Sequence, residues 1–400
     1  MMARTTGPFA AHGREALLVE ALRTPMGRSH PEKGWFRDTH PNELLGTVYT
    51  ALLQATGLAP ELIDDLVVGC TAPFGEQSRN IARNAWLQAG YPAEVPATVL
   101  DRRCGSAQTA VEMAAALVSS GTHDLVLAGG VEHMGHVPMT ATGVISETYG
   151  DPWPPQLRER YDFVTQGESA ELIAERWDIS RTAMDAFAVR SHALAAEALA
   201  AGRFDREMIP TERDGELRVG DQTLRPGTSM ESLAGLRTVF RAENGRVTAG
   251  TSSPICDGAA GVIVASRDAV TEHGLRARAR VLDQTTVGVD PVIMLTGPIP
   301  ATRKLLERNG LLIGDIDLIE VNEAFSSVVL AFEQELRPDM DRVNVNGGAI
   351  ALGHPVGATG ARLFATVLAE MERRDVELGL VTMCCGGGLG TATLVQRVDG

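Results

Sequence analysis

Long apolar runs, cysteine pairs at zinc-binding spacing and an excess of positive charge are all missing from this chain of 400 residues. No stretch reaches the roughly 18 apolar residues of a membrane-spanning helix, and the start, residues 1–15, has no apolar run typical of a signal peptide. The five cysteines form no C-x-x-C pair, which leaves a structural zinc site without support, and their odd number does not indicate a disulfide framework. A cytoplasmic location is therefore expected.

The charge balance is strongly acidic. The formal net charge is −15 at pH 7, and Lys33 and Lys304 are the only lysines. A chain this acidic is not expected to bind a nucleic acid, although local arginines can hold a small phosphorylated ligand. The length predicts two or three domains.

Short apolar runs alternate with helical patterns, which indicates an α/β fold. Residues 16–19 and 65–70 have the pattern of strands, and residues 43–56 and 107–119 have the pattern of helices. Such alternation favours a mostly parallel sheet with helices on both faces. The polar, turn-rich stretch from 137 to about 246 is interpreted as an insertion.

Two parts of the chain repeat each other. Residues 52–58 match residues 305–311, and in both copies an Ile-Asp pair follows, ending at Asp64 and at Asp317. An apolar strand comes next each time, and later a glycine-containing turn that opens a helix. We interpret this as a duplicated α/β unit with a site where the halves meet.

Three glycine-flanked segments present reactive side chains: Cys104 within 101–106, His354 within 347–355 and Cys384 within 384–390. Two thiols and an imidazole are suited to act as a nucleophile, a base and a second proton carrier. Neighbouring glycines allow backbone N–H groups to approach a substrate oxygen. The segments are far apart in sequence, so only the fold can bring them together.

Each segment also has a simpler interpretation. Cys104 precedes an alanine-rich helix whose N-terminus would stabilise a thiolate, but buried core cysteines are common. His354 can accept the proton of a thiol, or can bind a carbonyl group in a turn. Cys384 ends a strand, and the N–H groups of Cys385 and Gly386 can form part of an oxyanion hole or simply finish the strand. Cys385 itself is expected to pack.

Other polar residues are weaker candidates. Asn322 follows the predicted strand 318–321 and can hold a water, polarise a carbonyl or form an Asx turn. Arg225, Arg237 and Ser253 can meet phosphates or amides, and a solvated surface role is equally consistent with the sequence.

Taken together, these blocks resemble those of the thiolases, the acyl-CoA C-acyltransferases, over nearly the whole chain. The resemblance implies a duplicated five-layer α/β/α/β/α fold with an inserted loop domain. The implied units are an N-terminal half at 13–136 continued by 247–279, a coenzyme A-binding loop domain at 137–246, and a C-terminal half at 280–400.

The resemblance also implies roles for single residues. Cys104 would be the acylated nucleophile, His354 its base, and Cys384 the acid/base that exchanges a proton with the methyl carbon of acetyl-CoA. Asn322 would hold a water that, with His354, polarises a thioester oxygen, and the N–H groups of Cys104 and Gly386 would form a second oxyanion hole. The implied coenzyme A contacts are Arg225 and Ser253, and the implied acyl-pocket residues are Phe325 and Met294.

The implied reaction is cleavage of a 3-ketoacyl-CoA by coenzyme A to acyl-CoA and acetyl-CoA, as in fatty acid β-oxidation, or the reverse Claisen condensation. Covalent catalysis of this kind predicts ping-pong kinetics. Coenzyme A would be a substrate, no cofactor is implied, and members of the family are homodimers or homotetramers.

One departure concerns the substrate. Many short-chain thiolases carry His-Met before a glycine of the inserted loop, where this chain has Thr165-Gln166-Gly167. The nucleophile block, residues 101–108, is similar to that of actinobacterial degradative thiolases, some of which act on sterol side chains or longer acyl chains. A degradative or broad-specificity enzyme is favoured, with a strict acetoacetyl-CoA thiolase as the alternative.

Two other classes compete with a thiolase. A 3-ketoacyl synthase typically has a second histidine where this chain has Cys384. A non-catalytic protein that binds coenzyme A or lipid should lack Cys104 or the histidine block, and both are present.

Overall fold

The computed structural model describes residues 14–398, except for the side chain of Thr142. Gly13 and Gly400, which bound the predicted units, and most of the segment examined for a signal peptide lie outside the described residues. The strands are β1 (Ala16–Arg23), β2 (Gly27–Arg28), β3 (Asp65–Gly69), β4 (Ala97–Leu100), β5 (Leu125–His133), β6 (Thr211–Arg213), β7 (Glu216–Arg218), β8 (Cys256–Ser266), β9 (Ala279–Gly288), β10 (Leu318–Val321), β11 (Leu378–Cys385) and β12 (Leu389–Arg397). The α-helices are α1 (Pro41–Thr56), α2 (Ile81–Gln88), α3 (Ser106–Ser119), α4 (Ala141–Tyr149), α5 (Pro155–Arg158), α6 (Gln166–Arg176), α7 (Arg181–Ala200), α8 (Met230–Ala234), α9 (Arg267–Glu272), α10 (Pro298–Asn309), α11 (Ser326–Leu336), α12 (Ala349–Leu352) and α13 (Thr359–Arg374).

Most strands join a mixed sheet in the order β10-β11-β12-β9-β1-β8-β5-β3-β4, with β2 beside β8. Parallel pairing joins β3 to β4 and β5, and joins β10 to β11, whereas the other pairs of this sheet are antiparallel. The prediction of a mostly parallel sheet was therefore wrong. One physical reason is the short turn at 386–388 between β11 and β12, because a parallel pair needs a much longer crossover connection.

Three apolar clusters divide the fold into layers. Helices α3 and α13 pack against each other between the two halves of the sheet, in a cluster that includes Val111 and Phe364. Helices α1 and α2 cover one outer face around Trp86, and α10 and α11 cover the other around Phe332. The result is the expected five-layer α/β/α/β/α arrangement.

The duplication is visible in matching hydrogen bonds. Asp64 Oδ2 accepts from the N–H of Leu125 at 2.9 Å and from the preceding N–H at 2.7 Å, where β5 begins. Asp317 Oδ2 accepts from the N–H of Leu378 at 2.8 Å and from the preceding N–H at 3.1 Å, where β11 begins. Each repeated Ile-Asp pair therefore fixes the start of the corresponding strand in its own half.

Buried polar contacts join the two halves near their centre. Gln108 of α3 donates from Nε2 to the Val381 carbonyl at 3.0 Å and to Thr393 Oγ1 at 2.9 Å, and its Oε1 accepts from Thr391 Oγ1 at 2.7 Å. Because each of these polar groups is buried, losing a partner would cost about 1–3 kcal/mol. The contacts hold the N-terminal end of α3, beside Cys104, close to β11 and β12.

The long connection from β5 to β8 carries α4 to α8 and the β6–β7 hairpin. Its helices α6 and α7 pack against α11 of the second half, and α7 also packs against α12. The insertion thus lies close to the turns that follow β10 and α12. Within residues 14–398, no helix has the length and apolar character needed to cross a bilayer.

Candidate active site

Cys104 lies on a tight strand-to-helix turn. β4 ends at Leu100 and α3 begins at Ser106, whose hydroxyl accepts from the Arg102 N–H at 2.8 Å and donates to the Arg103 carbonyl at 2.6 Å. Arg103 has a φ of 52°, in the left-handed region, where a non-glycine residue is strained by about 1–3 kcal/mol. The turn holds Cys104 directly before the N-terminus of α3, as the sequence predicted.

The protonation state of Cys104 differs from the expectation. Burial raises the pKa of its thiol to about 11, and the N–H groups of Gly386 and of Cys104 itself, followed by the charge of Arg103, oppose this rise only in part. Backbone N–H groups do favour the thiolate, as expected, but loss of water outweighs them, so burial sets the direction of the net shift. Cys104 is a thiol at neutral pH, and its attack on a carbonyl needs a base.

His354 is suited to be that base. It follows α12, and its ring contacts two side chains: Nδ1 lies 2.6 Å from Thr359 Oγ1, and Nε2 lies 3.4 Å from Asn322 Nδ2. Burial lowers the pKa of His354 to about 3, and the positive charge of Arg362 contributes to the same shift. The imidazole is neutral at pH 7 and can accept a proton.

The C-terminal segment meets the nucleophile directly. The N–H of Gly386 donates to the Cys104 sulfur, and Cys384 is close enough for a charge on Cys104 to raise its pKa, although burial is the larger cause. The Cys385 sulfur instead packs against Gly105, where an added Cβ would lie 2.5 Å from it. Cys104 and Cys384 therefore lie close together, and Cys385, which accepts from the Gly105 N–H, is buried against the same turn.

A cavity lined by His354 lies near the two cysteines. Cys104 packs in the same apolar cluster as Met134 and Val356, and these two residues line a cavity together with His354. Asn322 is fully buried beside His354, and its Oδ1 accepts no hydrogen bond from the described residues. His354 and Gln166 both line the cavity, and Gln166 adjoins Gly386, whose N–H donates to the Cys104 sulfur.

Glu323, which the sequence reasoning gave no role, joins the two segments that carry Asn322 and His354. Its carboxylate accepts from Ser191 Oγ at 2.6 Å, Asn344 Nδ2 at 2.9 Å and the Ile350 N–H at 3.2 Å. A Cβ at Gly348 would lie 2.2 Å from the Glu323 carboxyl carbon, which explains the glycine. Glu323 therefore fixes the turn before His354 relative to β10.

We expect Glu323→Gln to lower the free energy of unfolding by about 1–3 kcal/mol, because in either orientation its amide NH₂ would face an N–H group that can only donate, that of Asn344 or that of Ile350. It should also lower the acyl-transfer rate, since the Asn322 and His354 segments would separate. Denaturant unfolding and steady-state kinetics measure the two effects. Glu307→Gln, on the exposed face of α10, is the matched control and should change neither. Equal stability of the two variants would contradict the role of Glu323.

The cavity has a volume of about 610 Å³ and combines an apolar wall with a few polar groups. Phe325 lies in this wall and packs edge-on against Phe240, with ring centroids 5.9 Å apart. Other apolar side chains of the wall are those of Met134, Leu233, Val239, Ile255 and Val356. The predicted acyl-pocket residue Phe325 therefore does face the cavity.

The remaining predicted contacts divide between the cavity and its surroundings. Arg225 and Ser253 line the cavity, and the Ser253 N–H donates to the Ala324 carbonyl at 3.0 Å. Met294 is buried, and its sulfur accepts from the Gly387 N–H at 3.4 Å in the turn after Cys384. Its role in an acyl pocket stays a prediction.

Gln166 was noted in the sequence only as a departure, and the structure brings it to the nucleophile. Its Nε2 lies 2.9 Å from the position that a Cβ on Gly386 would occupy, and its side chain lines the cavity. Within the described part of the chain, its amide makes no hydrogen bond. No signal in the sequence pairs Gln166 with Gly386, because they are joined only through the packing of α6 against the second half.

Metal ligands do not cluster in this structure. Across residues 14–398, no group of three or more histidine, cysteine, aspartate or glutamate side chains is arranged to hold a metal ion.

Comparison with known proteins gives full-length matches. The profile of the thiolase N-terminal domain matches residues 16–268, and that of the thiolase C-terminal domain matches residues 275–397. The chain is 44% identical to the steroid 3-ketoacyl-CoA thiolase FadA6 of Mycobacterium tuberculosis, with 98% of this chain and 97% of that protein covered. It is 42% identical to a 3-ketoacyl-CoA thiolase of Colwellia psychrerythraea and 43% identical to one of Escherichia coli O139:H28, with 96% of this chain and 100% of each relative covered.

The duplicated fold and these matches define an acyltransferase that acts on acyl-CoA thioesters. The chain belongs to the thiolase family.

Proposed function

We propose that this thiolase cleaves 3-ketoacyl-CoA with coenzyme A, releasing acetyl-CoA and a shortened acyl-CoA, and that it can run the reverse condensation. The observation that carries this proposal is a pair of neighbouring buried thiols, of which Cys104 accepts from the Gly386 N–H, together with a neutral imidazole that lines the cavity. A single nucleophile suffices for transfer of an acyl group. A second thiol supplies the extra proton carrier that carbon–carbon cleavage needs.

In the cleavage direction, the Cys104 sulfur attacks the 3-keto carbon while His354 takes its proton. Because the thiol pKa is about 11 and the imidazole pKa about 3, neither group ionises alone at neutral pH. Proton transfer therefore accompanies the attack rather than preceding it. The carbon–carbon bond then breaks, and Cys384 protonates the departing acetyl-CoA enolate at carbon. Coenzyme A finally attacks the acyl group on Cys104 and gives its thiol proton to Cys384, while His354 returns its proton to the departing Cys104 sulfur.

Two donor sets would stabilise the oxygens that gain charge. The N–H groups of Cys104 and Gly386 serve the tetrahedral oxygen formed at the nucleophile. Asn322 and His354 serve the thioester oxygen of the enolate, with a water donating to the unpaired Asn322 Oδ1. The burial of Asn322 strengthens both interactions, since a buried site has a low dielectric.

The division of the chain into two halves and an inserted loop domain is part of this proposal. The loop domain, residues 137–246, would bind coenzyme A. Arg225 supplies a positive charge at the cavity, and its N–H donates to His192 Nδ1 at 3.3 Å. Burial lowers the pKa of His192 to about 4, followed by the effect of Arg225, so the ring stays neutral and leaves that charge available for phosphate. Ser253 would meet the pantetheine amides. Coenzyme A acts as a substrate, and no cofactor is proposed.

We further propose that the acyl group is longer or bulkier than acetoacetyl. The apolar wall around Phe240 and Phe325 and the volume of about 610 Å³ support this, as does Gln166 in place of the methionine common in short-chain enzymes. The name of the mycobacterial relative makes a sterol-derived acyl chain a substrate to include in a test.

The proposal is tested by incubating the purified protein with coenzyme A and a graded series of 3-ketoacyl-CoA substrates, from acetoacetyl-CoA to a bulky polycyclic acyl-CoA. Acetyl-CoA release should be ping-pong, with the highest kcat/KM beyond acetoacetyl. Without coenzyme A, a peptide containing Cys104 should gain the acyl mass. Failure to release acetyl-CoA from any member would contradict the thiolase function, and a sharp preference for acetoacetyl-CoA would contradict the acyl-chain proposal alone.

We also propose a homodimer or homotetramer in the cytoplasm. β4 lies at one end of the sheet and its side chains are at least partly exposed, so its free edge can pair with a second copy. The exposed Val144 and Tyr149 of α4 offer apolar area for a further contact. The described cysteines are all free thiols, which fits a reducing compartment.

A further inference from the structure

The first residue of α13, Thr359, contacts the catalytic imidazole and has no role in the function proposed above. Thr359 is fully buried, and its Oγ1 lies 2.6 Å from His354 Nδ1 and 2.9 Å from the carbonyl oxygen of Pro355. The hydroxyl therefore lies between one group that can only accept and one ring nitrogen that can donate or accept.

A hydroxyl has a single proton, so the direction of one bond sets the direction of the other. Thr359 Oγ1 donates to the Pro355 carbonyl, one turn back along the chain. Its lone pairs then face His354 Nδ1, and the short contact is made by an N–H donating from the ring. On this side, the imidazole carries its proton on Nδ1.

The other side of the ring leads to the same result. His354 Nε2 lies 3.4 Å from Asn322 Nδ2, an amide nitrogen that can only donate. A proton on Nε2 would point at another donor, whereas a lone pair on Nε2 accepts from it. Asn322 is fully buried and His354 is nearly so, which limits the exchange of either contact for bulk water.

We propose that Thr359 is a positioning residue that holds His354 in the Nδ1–H tautomer, so that the Nε2 lone pair is presented at the active site. This inference rests on the proposed function, in which His354 takes the proton of Cys104. The hydrogen bond made by one ring nitrogen determines which nitrogen is free for chemistry. In the other tautomer, Nε2 carries a proton and cannot accept one from the thiol.

The test compares Thr359→Val, which removes the hydroxyl at nearly constant volume, with Thr359→Ser, which keeps it. Thr359→Val should lower kcat by about 10–100-fold, the range typical of a lost supporting hydrogen bond, and should leave KM for the 3-ketoacyl-CoA nearly unchanged. Thr359→Ser should stay close to wild type. Thr366→Val is the matched control, because it removes another buried hydroxyl of α13, which donates to Glu207 at 3.2 Å and does not contact His354 in the part of the chain that the structure describes.

A spectroscopic measurement judges the tautomer without any turnover. In protein labelled with ¹⁵N-histidine, the signals lost in His354→Gln identify His354 among the nine histidines. Wild type, Thr359→Ser and Thr366→Val should show a protonated Nδ1 and an unprotonated Nε2, and Thr359→Val should gain the opposite tautomer.

Two results would overturn the proposal: a protonated Nε2 in the neutral wild-type ring, or a Thr359→Val protein with unchanged tautomer and kcat. Loss of kcat in Thr366→Val equal to that in Thr359→Val would also count against it. If the wild-type protein cleaved no 3-ketoacyl-CoA, the proposed function would fail, and the ¹⁵N spectra would still decide the tautomer.

Discussion

Replacing Cys104 with alanine is expected to reduce 3-ketoacyl-CoA cleavage by at least about 10⁴-fold and to abolish the acyl adduct. Removing the nucleophile of an enzyme that works through a covalent intermediate lowers its rate by about this factor. The remaining hydrogen-bond donors of the site cannot form the acyl-enzyme without Cys104. Cleavage is followed by acetyl-CoA release, and the adduct by the mass of the Cys104 peptide.

Cys70→Ala provides the matched control for this variant. Cys70 is also a buried thiol, at the end of β3, but it contacts Glu132 rather than the residues around Gly386. Its replacement should leave the adduct intact. An acyl adduct on any other residue of Cys104→Ala, with turnover retained, would show that the nucleophile has been misidentified.

Replacing Cys384 with alanine is expected to separate the two half-reactions. Cys104, His354 and the Gly386 N–H remain, so acetyl-CoA should still acylate the enzyme and exchange its acetyl group with an added thiol. Formation and cleavage of the carbon–carbon bond should fall by about 10²–10⁴-fold, the usual loss when a general acid or base is removed. Acyl exchange and acetoacetyl-CoA formation measure the two steps in one preparation.

Cys385→Ala is the control for this second variant, because its sulfur is buried beside Gly105, accepts a hydrogen bond from the Gly105 N–H and has no part in the proposed proton transfers. A Cys384→Ala protein that condenses acetyl-CoA at the wild-type rate would end the assignment of the second proton carrier. Equal loss of acyl exchange and of condensation would instead indicate damage to the oxyanion donors at Gly386.

The sequence predicted the duplication because its two copies keep the same residue for the same backbone task. Asp64 and Asp317 each bind the N–H groups at the start of a later strand, and such local requirements leave a readable pattern. The direction of strand pairing left no such pattern. The alternation of strands and helices favoured parallel pairing, but β8, β9 and β12 pair antiparallel within the same alternation.

The supporting residues were not predictable from spacing. Glu323 acts through residues that are distant from it in the sequence. Its hydrogen bond with Ser191 exists only once the insertion has packed on the second half, and its bonds with Asn344 and Ile350 depend on the folding of the second half itself. Thr359 is five positions after His354, yet the contact depends on how the turn between them folds.

By itself, the chemistry of the side chains determined which groups can act here, because Cys104, Cys384 and His354 each belong to a glycine-containing segment. The tertiary structure alone decided their ionisation. A helix end favours a thiolate, but the layers that close over Cys104 remove its water, and dehydration of a charge outweighs the field of a few backbone dipoles. That balance depends on what packs around the sulfur, which the order of residues does not specify.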